Sequence, residues 1–470
     1  MNGVARKILN TPKVDSSTRR QKTLAGVGWI IINGAVMRIV FASLGSLGDL
    51  HPLLAMARNC EERGHGVIIA AGEAYAHYVK TMGFDFQAIR PDFNPDPEVI
   101  KRHYNRQGPE NLLREEIFGR VRETYPDLLE ATKGADILVV GELLYVAPMV
   151  AEKLGIPWVN VILAPTSFLS ACDPCVLAPA PGLHWLRYFG TWPHRMIFAY
   201  GRHKTTEWSK PLQMFRRELG LRPGPNPVFE GKHSPHLVLA MFPRFLAAAQ
   251  RDWPAATQQA GFPYFAQPGR PETEERVDTF LKRGKAPLIF TLGSGVVHIA
   301  KNFYQHAAKA AQELDCRAIL LLGKNPAPAN LPDTILAVDY APLESLLPHA
   351  AAMIHQGGIG GCAEALRAGI PSLIIPFGFD QPDNAERMRK LGVARVLNRR
   401  RISKRTLVAN LRILLSDSAM SARAKAFTHL IDPAADLAQA VEAIERVVLP
   451  GSSTSTIDEA RAERIQSAAL

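Results

Sequence analysis

The chain has 470 residues, too long for one core, and the 47% hydrophobic and 21% charged content is that of a soluble globular protein, so two domains are expected. Its net charge of +11 includes six cations and one acid in the first 36 residues, and no long basic run interleaved with aromatics follows, which argues against nucleic-acid binding. Five scattered cysteines fit a reducing, cytoplasmic setting better than a disulfide framework, and the lone pair Cys172-x-x-Cys175 lacks the second pair or spaced histidines of a metal site.

In chain order, "RRQKTLAGVGWIIINGAV" (19–36) couples basic residues to an apolar stretch too short to span a bilayer. It has the look of a signal core without a convincing cleavage site, so 1–36 reads as a dispensable extension with Met37 as the natural start. "RIVFAS" (38–43) then opens an alternation of apolar strands and helix-patterned segments: a helix at 53–64, strands at 66–72, 136–141 and 158–163, and helices at 111–134 and about 146–154. Residues 165–235 break the rhythm with prolines and aromatics, among them Trp185, Tyr188, Phe189, Trp192, Phe198, Tyr200 and Trp208. Alternation resumes with strands at 287–294, 316–323, 334–340 and 394–398 and a helix near 404–415. The expected fold class is α/β, with two Rossmann-like parallel-sheet domains facing across a cleft. The expected segments are 37–242, a linker over 243–286, a second domain over 287–430, and a last helix and tail over 431–470.

The second half carries the densest signal, "HQGGIGGCAEALRAGIPSLIIPFGFDQPDN" (355–384). Gly357, Gly358, Gly360 and Gly361 lie between an apolar run and a segment of helical habit, the order that presents bare N–H groups and a positive helix end to a phosphate. Gly358-x-Gly360-x-x-Ala363 also matches the dinucleotide fingerprint, with Asp380 where a ribose-binding acid belongs, so an NAD-dependent oxidoreductase is one rival. The match is thin, because the turn after the first strand, "GSLGD", lacks the fingerprint.

Five stretches together resemble the GT-B-fold nucleotide-sugar-dependent glycosyltransferases of macrolide, glycopeptide, sterol and rhamnolipid type. They are "GSLGDLHPLLAMA" (45–57), "DWPAATQQAGFPYF" (252–265), "IFTLGSG" (289–295), "VDYAPLESLLP" (338–348) and the 355–385 segment. The resemblance, which runs from Met37 to about Leu415, implies an N-terminal acceptor-binding half and a C-terminal half that binds the nucleotide sugar. It implies an enzyme that moves a hexose or deoxyhexose from a UDP- or TDP-sugar, with inversion and without metal or other cofactor, to a hydroxyl of a small lipophilic acceptor. It puts Tyr340 against the nucleotide base, and Ser294 with Gly357, Gly358 and Gly360 at the diphosphate. Asp380 and Gln381 fall at the donor-sugar hydroxyls, and Asp49 at the position of the general base. His51 is a competing base, and Glu142 an assisting acid offset by one residue from the family pattern.

Two positions depart from that pattern. Gln356 stands where histidine is usual, with His355 one residue early, and Gly361 stands where serine or threonine is usual; all three are still expected among the nucleotide- and phosphate-binding residues. A non-catalytic accessory protein with a decayed diphosphate site is therefore the second rival. No D-x-D sequence occurs, and the glycine-rich helix start can supply the positive charge that a cation would bring. The cations among the aromatics of 165–235 (Arg187, Arg195, Arg202, Lys204, Arg216 and Arg217) suit peripheral contact with an anionic inner membrane face.

Overall fold

The computed structural model describes residues 36–92, 97–105, 107–267 and 269–449, so the expectations for 1–35 and 450–470 lie outside the described residues. Apolar runs such as Ile137–Val140 and Leu288–Thr291 are buried at every position, as strands covered on both faces must be. The first sheet holds β1 (Arg38–Ala42), β2 (Gly66–Ala71), β3 (Asp85–Ala88), β4 (Ile137–Val140), β5 (Trp158–Ile162), β6 (Leu237–Met241) and β7 (Thr257–Ala260). Its order is β3-β2-β1-β4-β5-β6-β7, and every pairing is parallel. The second sheet holds β8 (Leu288–Thr291), β9 (Ala318–Leu321), β10 (Ile335–Val338), β11 (Ala352–His355), β12 (Ser372–Ile374) and β13 (Ala394–Val396). Its order is β10-β9-β8-β11-β12-β13, again parallel throughout. Two Rossmann-like sheets with helical crossovers give the GT-B architecture that the sequence led one to expect.

Each sheet has one point where the chain reverses its direction of travel: between β1 and β4, and between β8 and β11. Crevices at such switch points, beyond the strand C-termini, are where open parallel sheets bind ligands. Asp49 and Glu142 follow β1 and β4, and Ser294 and Gln356 follow β8 and β11.

Residues 243–286, expected as a linker, contain β7, which adds an edge to the first sheet, and the helix Pro271–Lys282. The helix expected over 111–134 is broken into π- and 3₁₀-turns before Val121–Thr132. The two halves share a buried cluster, in which Ile162, Val238 and Phe242 meet Cys362, Leu366 and Met388. A buried ion pair adds to it, with Arg387 donating to Asp383 at 2.8 Å and to Asp173 of the first half at 2.7 Å. The last helix, Pro433–Val448, returns to the first sheet, where Ala440, Val441 and Ile444 join Leu53, Met56 and Leu239 in one core.

Candidate active site

After β1 the chain turns through Gly45, at φ +125°, where a side chain would strike Asp49 (Oδ2 lies 2.5 Å from the position of a Cβ). Ser46 caps the helix Leu47–Glu62, so Asp49 is its third residue and not its cap. The Ser46 N–H and hydroxyl both donate to Asp49 Oδ2, at 2.8 and 3.0 Å. Burial pushes the Asp49 carboxyl up to about 6; the bonds from Ser46 oppose that rise and the charge of Glu142 adds to it. Glu142 lines the same cavity, and its Oε1 is buried without a hydrogen-bond partner. His51 is held differently. Its Nε2 lies 3.0 Å from the Tyr78 hydroxyl, its ring stacks on Phe265 at 5.0 Å, and burial lowers it to about 4, so it is neutral at pH 7.

In the second half β11 ends at His355, which is fully buried and does not line the cavity. It was expected at the phosphates. Instead, Nδ1 accepts from the Gly357 N–H at 3.2 Å, and burial lowers the imidazole to about 4. A Cβ on Gly361 would meet that same Nδ1 at 2.9 Å, so histidine at 355 and bare glycine at 361 form one packing arrangement. Gln356 lines the cavity, and its amide Nε2 sits 2.2 and 3.0 Å from where Cβ atoms of Gly293 and Gly358 would be. It therefore lies between the loop after β8, which carries the exposed Ser294, and the glycine loop. Gly357 also sits behind the cavity, at φ +88°, where a Cβ would come 2.6 Å from Ile374.

The helix Ile359–Ala368 starts at Gly358 with no side-chain cap, and the Cys362 N–H is bonded to the Gly358 carbonyl at 3.1 Å. The N–H groups of 359–361 open on the cavity, and beside Gly360 there is empty space where a Cβ would be. Unpaired backbone donors at a helix start are the groups that favour an anion. Asp380 precedes the helix Gln381–Lys390 without capping it, and accepts from Asn384 Nδ2 at 2.6 Å. Asn384 also donates to the Gly357 carbonyl at 3.0 Å, tying the acid to the glycine loop. Burial pushes Asp380 up to about 7 against the Asn384 bond, with the charges of Asp49 and Glu142 adding across the cleft. Gln381 Oε1 accepts from the Phe377 and Gly378 N–H groups at 2.8 and 3.2 Å, and its side chain also lies within hydrogen-bonding reach of Tyr104. Tyr340 also lines the cavity, its hydroxyl donating to the Gln267 carbonyl at 3.4 Å.

Asp49, His51, Glu142, Ser294, Tyr340, Gln356, Gly358, Gly360, Gly361, Asp380 and Gln381 all open on one cavity of about 1500 Å³ between the halves, which His355, Gly357 and Asn384 do not line. Its first-half side is apolar, with Leu143, Leu163, Leu177, Ile197, Phe198 and Phe229. Among the described residues no group of three or more His, Cys, Asp or Glu is placed to hold a metal ion. Tyr104 also lines this cavity, a residue that no sequence motif marked. It comes from the first half but meets Phe379 edge-on at 5.1 Å, and Arg399 donates to its carbonyl at 3.1 Å. Its hydroxyl is 3.1 Å from where a Cβ on Gly295 would be. Asn384 was missed as well, although its spacing of four from Asp380 on a helix start is a readable sign of contact.

Two family models match the chain, one to each half: the glycosyltransferase family 28 N-terminal domain over 39–169 and the erythromycin biosynthesis protein CIII-like C-terminal domain over 306–444. The O-mycaminosyltylonolide 6-deoxyallosyltransferase of Streptomyces fradiae is 31% identical over 404 residues, which cover 83% of this chain and 92% of that protein. Among solved structures, the spinosyn forosaminyltransferase SpnP superposes with a TM-score of 0.65 at 18% identity, over 88% of this chain and 100% of that one. Glycosyltransferase VinC in complex with DTDP gives 0.63 at 20% identity, with the same coverage. With the paired sheets, the glycine-rich helix start and the facing carboxylates, these matches show that the chain belongs to the GT-B-fold, nucleotide-sugar-dependent glycosyltransferases, enzymes that transfer a sugar to a small acceptor.

Proposed function

We propose that the enzyme transfers a hexose or deoxyhexose, with inversion, from a UDP- or TDP-sugar to a hydroxyl of a small lipophilic acceptor. The observation that carries this reading is the carboxylate of Asp49, pushed up to about 6, in one cavity with the open N-terminus of the helix Ile359–Ala368. In the proposed reaction the acceptor hydroxyl gives its proton to Asp49 as its oxygen bonds to the anomeric carbon. The bond from that carbon to the β-phosphate oxygen breaks on the opposite face, and the nucleoside diphosphate leaves. The N–H groups of 359–361 and the Gln356 amide are poised to hold the charge that develops there. Asp380 and Gln381 would take donor-sugar hydroxyls, and Tyr340 the base. His51, lowered to about 4 and with Nε2 engaged by the Tyr78 hydroxyl, is the weaker proton acceptor of the two, which supports Asp49 as the base. The deoxyhexose and TDP choices rest on the names of the relatives, the lipophilic acceptor on the apolar wall. The five cysteines are free thiols, which supports a reducing, cytoplasmic setting.

The test is to incubate the enzyme with pooled UDP- and TDP-sugars and hydroxylated apolar acceptors, to identify products by mass spectrometry, and to assign the anomeric configuration by NMR. An inverted glycoside that disappears with Asp49→Asn is expected. A retained configuration, or full turnover by Asp49→Asn, would overturn the mechanism.

A further inference from the structure

The outer surface of the acceptor half carries an apolar face that the transfer reaction does not use. Twelve large apolar side chains stand exposed among the described residues, and seven of them fall between 183 and 200. Six of these (Trp185, Tyr188, Phe189, Trp192, Met196 and Tyr200) are 55% to 75% exposed. Exposed apolar residues are ordinary when scattered; this concentration is not. The 3₁₀ segment Pro181–Phe189 brings Trp185 and Phe189 edge to face at 5.2 Å. On the following helix, Trp192–Trp208, the residues Trp192, Met196 and Tyr200 recur every four positions as one outward stripe, while Pro193, His194 and Phe198 face in.

Within the segment itself the charges have a single sign. From 181 to 206 there are four cations (Arg187, Arg195, Arg202 and Lys204) and no acid. Arg187 and Arg202 are paired with Glu386 and Glu230, whereas Arg195 and Lys204 have no ion pair among the described residues. The Lys204 ammonium continues the stripe, 5.7 Å from the centre of the Tyr200 ring. Tryptophan and tyrosine beside lysine and arginine on one helix face is the composition that settles at a lipid headgroup boundary, where rings lie below the phosphates and cations among them. No helix of the described residues is long and apolar enough to cross a membrane. The same helix walls the cavity on its other side through Ile197, Phe198 and Gly201, and Tyr200 belongs both to the stripe and to the cavity lining.

We infer that this face, residues 183–204, docks the enzyme on the surface of an anionic lipid bilayer, with its aromatic residues at headgroup level and Arg195 and Lys204 against lipid phosphates. Docking there sets the mouth of the acceptor side at the lipid boundary, where an apolar acceptor concentrates. The contact itself stands on the exposed face and does not depend on which sugar or acceptor the enzyme uses.

The experiment is co-sedimentation of the full chain with vesicles of phosphatidylcholine alone and of phosphatidylcholine mixed with phosphatidylglycerol, at low and high salt, with light scattering of the free protein. Binding to the anionic vesicles at low salt is expected, with a blue shift of tryptophan emission and weakening at high salt. Arg195→Glu with Lys204→Glu, and separately Trp192→Ser with Met196→Ser, should each weaken partitioning by roughly tenfold or more, at unchanged Tm. None of these four side chains lines the cavity, so release of nucleoside diphosphate with a water-soluble acceptor should stay at the parent level. Absence of vesicle binding at low salt overturns the inference, as does binding that ignores lipid charge and both double variants. A chain that self-associates through these residues and leaves vesicles alone would assign the face to a second copy and also overturn it.

Discussion

Three carboxylates meet across the cleft, Asp49 and Glu142 from one half and Asp380 from the other, and their mutual repulsion together with burial decides when a base is available. Asp49 is pushed up to about 6 and Asp380 to about 7, so kcat/KM should climb with pH between about 5 and 8 and level off above. The two groups influence one another, so the limb belongs to the pair and not to either residue alone. Asp49→Asn should lower turnover by roughly 10²–10⁴-fold, the usual worth of a general base, and leave donor binding intact. The sign of its stability effect follows from the raised pKa. The favourable contribution of Asp49 is complete below the ordinary value of 3.8 and is lost as pH rises through about 6. Asparagine resembles the protonated form and can still accept from Ser46, so the variant should melt at or above the parent temperature at pH 7, with the gap closing toward pH 4. A variant that melts well below the parent at pH 7 would show that the charge itself is needed for the fold. The glycine loop offers a second probe. Gly360 faces open space, so Gly360→Ala should fold at unchanged or slightly raised Tm while its methyl crowds an incoming phosphate and raises the donor KM. An unchanged donor KM would place the diphosphate elsewhere.

At the scale of elements, the last helix shows a contact that no local pattern could announce. Pro433–Val448 closes the first sheet's core, and Arg63 donates to Glu445 at 2.9 Å across 382 positions of sequence. Ile444 is fully buried there, and Ile444→Ala should destabilise the protein by about 2–5 kcal/mol in urea unfolding. A loss below the range of an exposed substitution would mean that the helix is dispensable. The central strands were legible because strands buried on both faces read as continuous apolar runs; β4, "ILVV", is one. The edges were not legible. β3, "DFQA", and β7, "TQQA", are short and polar because an edge strand is only half covered, and β7 was read as part of a linker. In the site, Asp49, Gln356, Gly360 and Asp380 could be located from motif order, since each lies at a strand's C-terminal end or a helix start. What the carbonyl of Gln381 or the ring of His355 touches depends on one rotamer and on neighbours such as Gly361, which a linear pattern does not contain.

At the scale of the molecule, transfer requires the acceptor half and the donor half to hold their groups within bonding reach, and rigid contacts across the cleft supply that. The shared apolar cluster and the Arg387 pair join the halves, and Tyr104 adds a contact at the cavity wall, lodged beside Gly295, Gly378 and Phe379. An aromatic edge contact is worth about 0.5–1.5 kcal/mol beyond the area it buries, enough to shift the closed arrangement by up to roughly tenfold. Because a ligand's apparent affinity scales with the fraction of enzyme in the competent state, Tyr104→Ala should raise the donor KM by up to about that factor. Tyr104→Phe keeps the ring and removes the hydroxyl that lies beside Gly295 and bonds to the Gln381 side chain, so its effect should be smaller if the ring's packing is what matters. The acceptor KM for a water-soluble acceptor should move less than the donor KM in both variants, since the side chain rests on the donor half. Steady-state kinetics with each substrate varied in turn separates these effects. A donor KM untouched by Tyr104→Ala would show that Tyr104 only fills space, and that the halves are held by their other buried contacts.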